Sequence, residues 1–271
     1  MRLAVSNLAW DPDEDEQVAQ VMRSLGIAGL EIAPTRIWKS PLDSSKQERS
    51  AVRTRWSDRG VTIVSLQALL FGRPELVLFE SEARRRSTLD FLRGIIELAA
   101  DLGAGRLVFG SPRNRARGSM TKEETDRVAL PFFRAVGDSA ADAGVVFCLE
   151  PNPVQYDCDW ITTVEEGHRF VTRVGHPGIG INADSGGITL AGEDPAVISQ
   201  ALDRIFHFHV SEPQLVPIGS GGVNHQNFAE VLRRSGYSGW VSVEMRPPPA
   251  ENRTQTLEAS FQRAVDIYGG S

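Results

Sequence analysis

The chain has 271 residues, 41% of them hydrophobic and 24% charged, with 29 Lys and Arg against 35 Asp and Glu for a formal charge of −6. These proportions exclude a disordered chain, and the acidic balance argues against nucleic acid as a general partner, which favours a basic surface. No apolar run approaches the ~18 residues of a membrane span; with no signal-like leader and two cysteines, Cys148 and Cys158, outside any CxxC spacing, a reduced cytoplasmic protein with no membrane partner is expected.

LAVSN at 3–7 predicts a first strand. From there one pattern recurs: an amphipathic stretch, a glycine, then a short β-branched run. It reads GIAGLEI near 29, RGVTIV near 60, GAGRLVF near 105, AGVVFCL near 144, HPGIGIN near 178 and YSGWVSVE near 239, with IFHFHV at 205–210 as a further strand. Glycine after a periodic stretch is a helix C-cap, because without a Cβ it takes the left-handed conformation freely. The apolar runs suit parallel strands covered on both faces. Between them, Leu89, Leu92, Ile96, Ala99 and Leu102 form a helical stripe over 82–102, as do Leu257, Phe261, Ala264, Val265 and Tyr268 at the end. Pro131 should kink the helix predicted over 121–143. Strand starts near 2, 29, 61, 106, 145, 179, 206 and 240 make eight βα units without a linker. A length near the ~250 residues of a (β/α)₈ barrel then predicts an α/β fold, one TIM-barrel domain over 1–271.

Barrel chemistry sits at the C-terminal ends of the strands. Side chains alternate along a strand, so VVFCLEP aligns Val146, Cys148 and Glu150, and IGINAD aligns Gly180, Asn182 and Asp184. FHFHV aligns His207 with His209, and WVSVEM aligns Trp240, Ser242 and Glu244. Four successive strands therefore end in Glu150, Asp184, His209 and Glu244 on one side. Three carboxylates and an imidazole are expensive to bury unpaired, and a divalent cation removes that expense. The oxygen-rich set suits Mn²⁺ first, with Mg²⁺, Co²⁺ or Zn²⁺ as alternatives. His207, one layer deeper, reads as a core histidine.

LEPNP around Glu150, NADSGG around Asp184, HFHVSE around His209 and VSVEMRP around Glu244 resemble the xylose isomerase-like barrels, the sugar phosphate isomerases and epimerases that include ketose 3-epimerases, hydroxypyruvate isomerase and inosose dehydratase. The resemblance implies one metal ion held by Glu150, Asp184, His209 and Glu244, with the two glutamates also exchanging protons beside the substrate carbonyl. A cation would stabilise the enediolate so formed. The sequence departs from the epimerase pattern at Gly187, where a histidine is common, at Leu215, where an arginine is expected, and at Tyr156, where a second glutamate is usual.

Arg246 has the parity of Glu244 and could pair with a substrate carboxylate or phosphate. Asn7, Trp10, Glu31, Trp38 and Gln67, at or after the ends of strands one to three, are candidate pocket walls, and His225 is a candidate for the role vacated at Gly187. GSGG at 219–222 could cradle a phosphate, though a connector into the next helix is the plainer reading. Arg113, Arg115 and Arg117 read as a solvated loop. The expected function is a metal-dependent isomerase or epimerase of a sugar, sugar acid or phosphosugar, with a carbohydrate as its small-molecule partner and a homo-oligomer allowed. The alternatives are a dehydratase using the same metal and a non-catalytic carbohydrate-binding barrel. An abasic-site nuclease, with its three zincs and many histidine ligands, is disfavoured by five histidines and a negative charge.

Overall fold

In the computed structural model, which describes residues 1–270, eight parallel strands close into a barrel in chain order. They are β1 (Arg2–Ser6), β2 (Gly29–Ile32), β3 (Thr62–Leu66), β4 (Arg106–Phe109), β5 (Val146–Leu149), β6 (Ile179–Asp184), β7 (Ile205–Val210) and β8 (Trp240–Val243). Each begins within a residue or two of the position read from sequence. The barrel shuts between β8 and β1, where Ala4 pairs with Ser242. Gly29 is required beside that seam: a Cβ there would sit 2.7 Å from both Ala4 Cβ and the Trp240 ring.

The covering helices are α1 (Asp15–Ser24), α2 (Lys46–Ser57), α3 (Glu82–Leu102), α4 (Lys122–Asp142), α5 (Val164–Val174), α6 (Ser185–Ala191), α7 (Val197–Ala201), α8 (His225–Arg234) and α9 (Arg253–Tyr268). α3 shows how the local code works. The Ser81 hydroxyl caps its start, Leu92, Ile95, Ile96, Ala99 and Leu102 bury one stripe, and Gly103 ends it at φ +80°. α4 opens on a reciprocal Thr121–Glu124 capping box. Pro131 lies inside this helix and does not interrupt it. Outside the barrel, Phe133 of α4 packs on Phe109, Phe147, Trp160 and Phe170, with ring centroids 5.2–6.3 Å away. Among the described residues no helix is long and apolar enough to cross a membrane.

Register delivers the site. β6 and β7 are paired so that Asn182 lies beside His207 and Asp184 beside His209, while His209 lies beside Ser242 on β8. Glu150 and Glu244 each follow the last residue of their strand. One layer of side chains, directed at the C-terminal mouth, thereby gathers from four strands.

Candidate metal centre

Glu150, Asp184, His209 and Glu244 each offer a ligand atom, and these four atoms lie within 4.8 Å of one another. His209 Nδ1 is 3.2 Å from Glu150 Oε1 and 3.2 Å from Glu244 Oε2. Yet this fully buried nitrogen makes no well-directed hydrogen bond to either. A ring nitrogen aimed between two carboxylates, rather than along a bond to one, is the arrangement a cation would complete. The donor set, three carboxylates and one nitrogen, fits a divalent cation.

Glu150 and Asp184 are held from behind. The amide of Asn182 donates to Glu150 Oε1 at 2.6 Å, and that of Asn152 to Oε2 at 3.0 Å. Asp184 caps α6, taking the Gly187 N–H at 2.5 Å on Oδ1 and the Ser211 hydroxyl at 2.6 Å on Oδ2. Asn182 and Ser211 continue the period-two pattern of Asp184 and His209, so parity could have found both.

The charges expose what is missing. Burial, followed by the neighbouring Glu150 and Glu244 carboxylates, pushes Asp184 up to about 7. Burial likewise lifts Glu244 above the ordinary carboxylate range, against the pull of His209. Burial acts the same way on Glu150, but the His209 ring and the two asparagine amides outweigh it and hold it below that range. Burial opposes protonation of His209, but Glu31, Glu244 and Glu150 overcome it and hold its pKa well above that of a free imidazole. Two of the three crowded acids, Asp184 and Glu244, and the His209 ring thus hold on to protons that a divalent cation would replace.

Glu31 requires a correction. It is fully buried beneath the site and faces no substrate space. Its Oε1 lies 3.0 Å from His209 Nε2, while Oε2 accepts from His207 Nε2 at 2.9 Å and from Ser65 Oγ at 2.6 Å. It is the carboxylate behind the His209 imidazole, on the side away from Glu150 and Glu244. Glu31, His207 and His209 are themselves close enough to share an ion. His207, however, already bonds to Glu31 as a core histidine does.

His225 is a second correction. Buried at the start of α8, its Nδ1 is 2.8 Å from the Tyr268 hydroxyl and its Nε2 3.2 Å from Glu212 Oε1. It does not take the place left open at Gly187. The GSGG loop does cradle an anion, but an internal one: Gly219 and Val223 donate their N–H groups to the buried Glu212 carboxylate at 2.7 and 3.0 Å. Gln67 is also buried, with its amide on Ser6 Oγ. Asn7 Oδ1 accepts from Ala33 N at 2.7 Å, and Trp10 Nε1 donates to Asp15 at 2.9 Å. Asn7 and Trp10 line a cavity of about 140 Å³ at the end of β1. Trp38 is half-buried against the core. Arg246 is exposed at the mouth, and its backbone N–H donates to the Leu215 carbonyl at 2.8 Å.

A closed eight-stranded parallel barrel with an acid-rich cluster at its C-terminal mouth defines a class of metal-ready α/β barrels. Within that class the chain belongs to the xylose isomerase-like TIM barrel family, whose model matches residues 19–264. It is 26% identical over 155 residues to an inosose dehydratase of Lacticaseibacillus casei, a match covering 48% of this chain and 50% of that one. The chain thus spans about half the length of these dehydratases. It is 25% identical over 225 residues to the L-ribulose-5-phosphate 3-epimerase UlaE of Salmonella heidelberg, covering 79% of this chain and 75% of the relative. The 3-keto-D-glucoside 4-epimerase YcjR of E. coli shares the fold at a TM-score of 0.80, with 20% identity over 96% of this chain and 97% of that one.

Proposed function

We propose that the protein is a divalent-metal-dependent epimerase or isomerase of a sugar, sugar acid or phosphosugar, moving a proton on the carbon beside a carbonyl. The observation that carries this reading is His209 Nδ1, buried and without a directed hydrogen bond at 3.2 Å from both glutamates. A cation bound to Glu150, Asp184, His209 and Glu244 would supply the positive charge that stabilises an enediolate. Glu150 and Glu244 lie on opposite sides of His209 and are the two groups placed to take and return a proton. Two bases on opposite faces invert a centre, whereas one base working along a single face shifts the carbonyl. Asp184 and His209 act as ligands only.

Arg246 extends the reading to acidic substrates. It is exposed at the mouth, two residues beyond Glu244. Arg246→Met should raise KM for a phosphorylated or carboxylated sugar and leave a neutral one unaffected.

The test of the proton transfer is uptake of deuterium from heavy water into the substrate. Glu150→Gln and Glu244→Gln should each abolish uptake, and full exchange in either variant would overturn the assignment. The likeness to an inosose dehydratase favours a second reading, in which the same proton removal expels a β-hydroxyl. A product lighter by one water identifies it.

A further inference from the structure

Arg115, which reads as one of three solvated arginines, is fully buried. Its guanidinium makes five contacts, equal to its five N–H groups, and every one is to the oxygen of an uncharged group. Nε donates to the Gly110 carbonyl at 2.6 Å. Nη1 reaches the Trp160 carbonyl and, at 3.5 Å, that of Ile161. Nη2 donates to the Glu150 carbonyl at 2.8 Å and to Asn152 Oδ1 at 3.4 Å. One side chain thus fastens the segment after β4, the segment after β5 and the turn leading into α5.

Such an arrangement is costly for folding alone. A buried cation loses its hydration, and carbonyl dipoles return less than a carboxylate would. The clamp also holds strained backbone. Ile161 sits at φ +58°, a region a β-branched residue rarely enters, and Ser111, which starts the turn carrying Arg115, is at φ +42°.

Both ends of the clamp lead to the same carboxylate. Asn152, held through its Oδ1, donates its own amide to Glu150 Oε2 at 3.0 Å. Gly110, held through its carbonyl, lies so close to Glu150 Oε2 that a Cβ there would overlap it. Arg115 also grips the Glu150 backbone directly.

We propose that Arg115 is a positioning residue for Glu150, fixing backbone and carboxylate together so that the carboxylate faces Asp184, His209 and Glu244. The role rests on the reading of Glu150 as metal ligand and proton-transfer group. It requires the guanidinium fork and not merely a positive charge, since a lysine ammonium can satisfy at most three acceptors and in no fixed plane.

The experiment compares Arg115→Lys, Asn152→Ala and a control, Val174→Ala, which trims a buried side chain at the end of α5. Each metal-stripped protein is titrated with Mn²⁺ alone and then assayed for deuterium uptake, at a temperature below all the melting points. Arg115→Lys should weaken Mn²⁺ binding at least tenfold and slow exchange, chiefly in kcat. Asn152→Ala should do so to a smaller degree. The control should melt lower yet bind Mn²⁺ as the native protein does. Native Mn²⁺ affinity and exchange in folded Arg115→Lys overturns the proposal. If that variant does not fold, Asn152→Ala decides, and native Mn²⁺ affinity there overturns it equally. A native protein that binds no Mn²⁺ and exchanges no proton overturns instead the reading of Glu150 on which the proposal rests.

Discussion

Replacing Glu31 by glutamine separates two things this residue supplies, hydrogen bonds and charge. Glutamine has the same shape, so its Oε1 can still face His209 Nε2, now 3.0 Å away, and accept from Ser242 Oγ, now at 3.3 Å. Its amide then faces Ser65 Oγ and His207 Nε2. The hydroxyl can turn to accept. His207 can also adapt, because its Nδ1 has no partner and can take the proton, leaving Nε2 as an acceptor. Every bond can therefore be re-formed, and what disappears is the negative charge behind the imidazole. Loss of such support weakens metal binding by about 10–100-fold, or about 1.4–2.7 kcal/mol. Glu31→Ala differs: it strands two imidazoles and two hydroxyls in a dry layer, and removal of one partner of a buried ion pair costs about 3–5 kcal/mol of stability.

The assay is calorimetric titration of metal-stripped protein with Mn²⁺, paired with thermal melting of the same samples. Glu31→Gln should lose affinity with little change in melting temperature, whereas Glu31→Ala should lose both. Native affinity in Glu31→Gln would show that the negative charge behind His209 does not support metal binding. Equal melting temperatures in the two variants would refute the account of how the hydrogen bonds redistribute.

Gly110→Ala should weaken Mn²⁺ binding about tenfold, as loss of a supporting partner does, because its methyl group displaces the Glu150 carboxylate; titration with Mn²⁺ reads this, and native affinity contradicts the packing described. Phe133→Ala removes the ring on which five aromatics converge, and it should destabilise the protein by about 3–5 kcal/mol, read from the urea midpoint at an unchanged slope. Burial pushes the Cys148 thiol up to about 12, so at pH 8 almost none of it is thiolate, and iodoacetamide should label it only after denaturation. Rapid labelling of Cys148 in the native protein would mean that the layer beneath the metal site is open to solvent.

Parity along the strands made the clustering of Glu150, Asp184, His209 and Glu244 legible, because a β-strand's period of two fixes a direction for every side chain once one is known. Glu31 was legible as a strand-end residue but not in its depth. Depth depends on the stagger between neighbouring strands, and β2 shifts register against β3 at Leu30 and Glu31. The loops carried no such ruler. Arg115 stands between two exposed or half-exposed arginines in a polar turn, and nothing in its neighbours marks the carbonyls that converge on it from three segments. GSGG misleads in the opposite sense, offering its amides to Glu212 from within the same connection. In both cases a group that looks ready for a ligand is consumed by the protein's own backbone or carboxylate. Arg246 differs: it remains exposed, and among the described residues it forms no salt bridge. Its charge is therefore free to meet a substrate, which is why its removal should discriminate acidic from neutral sugars while removal of Arg115 should not.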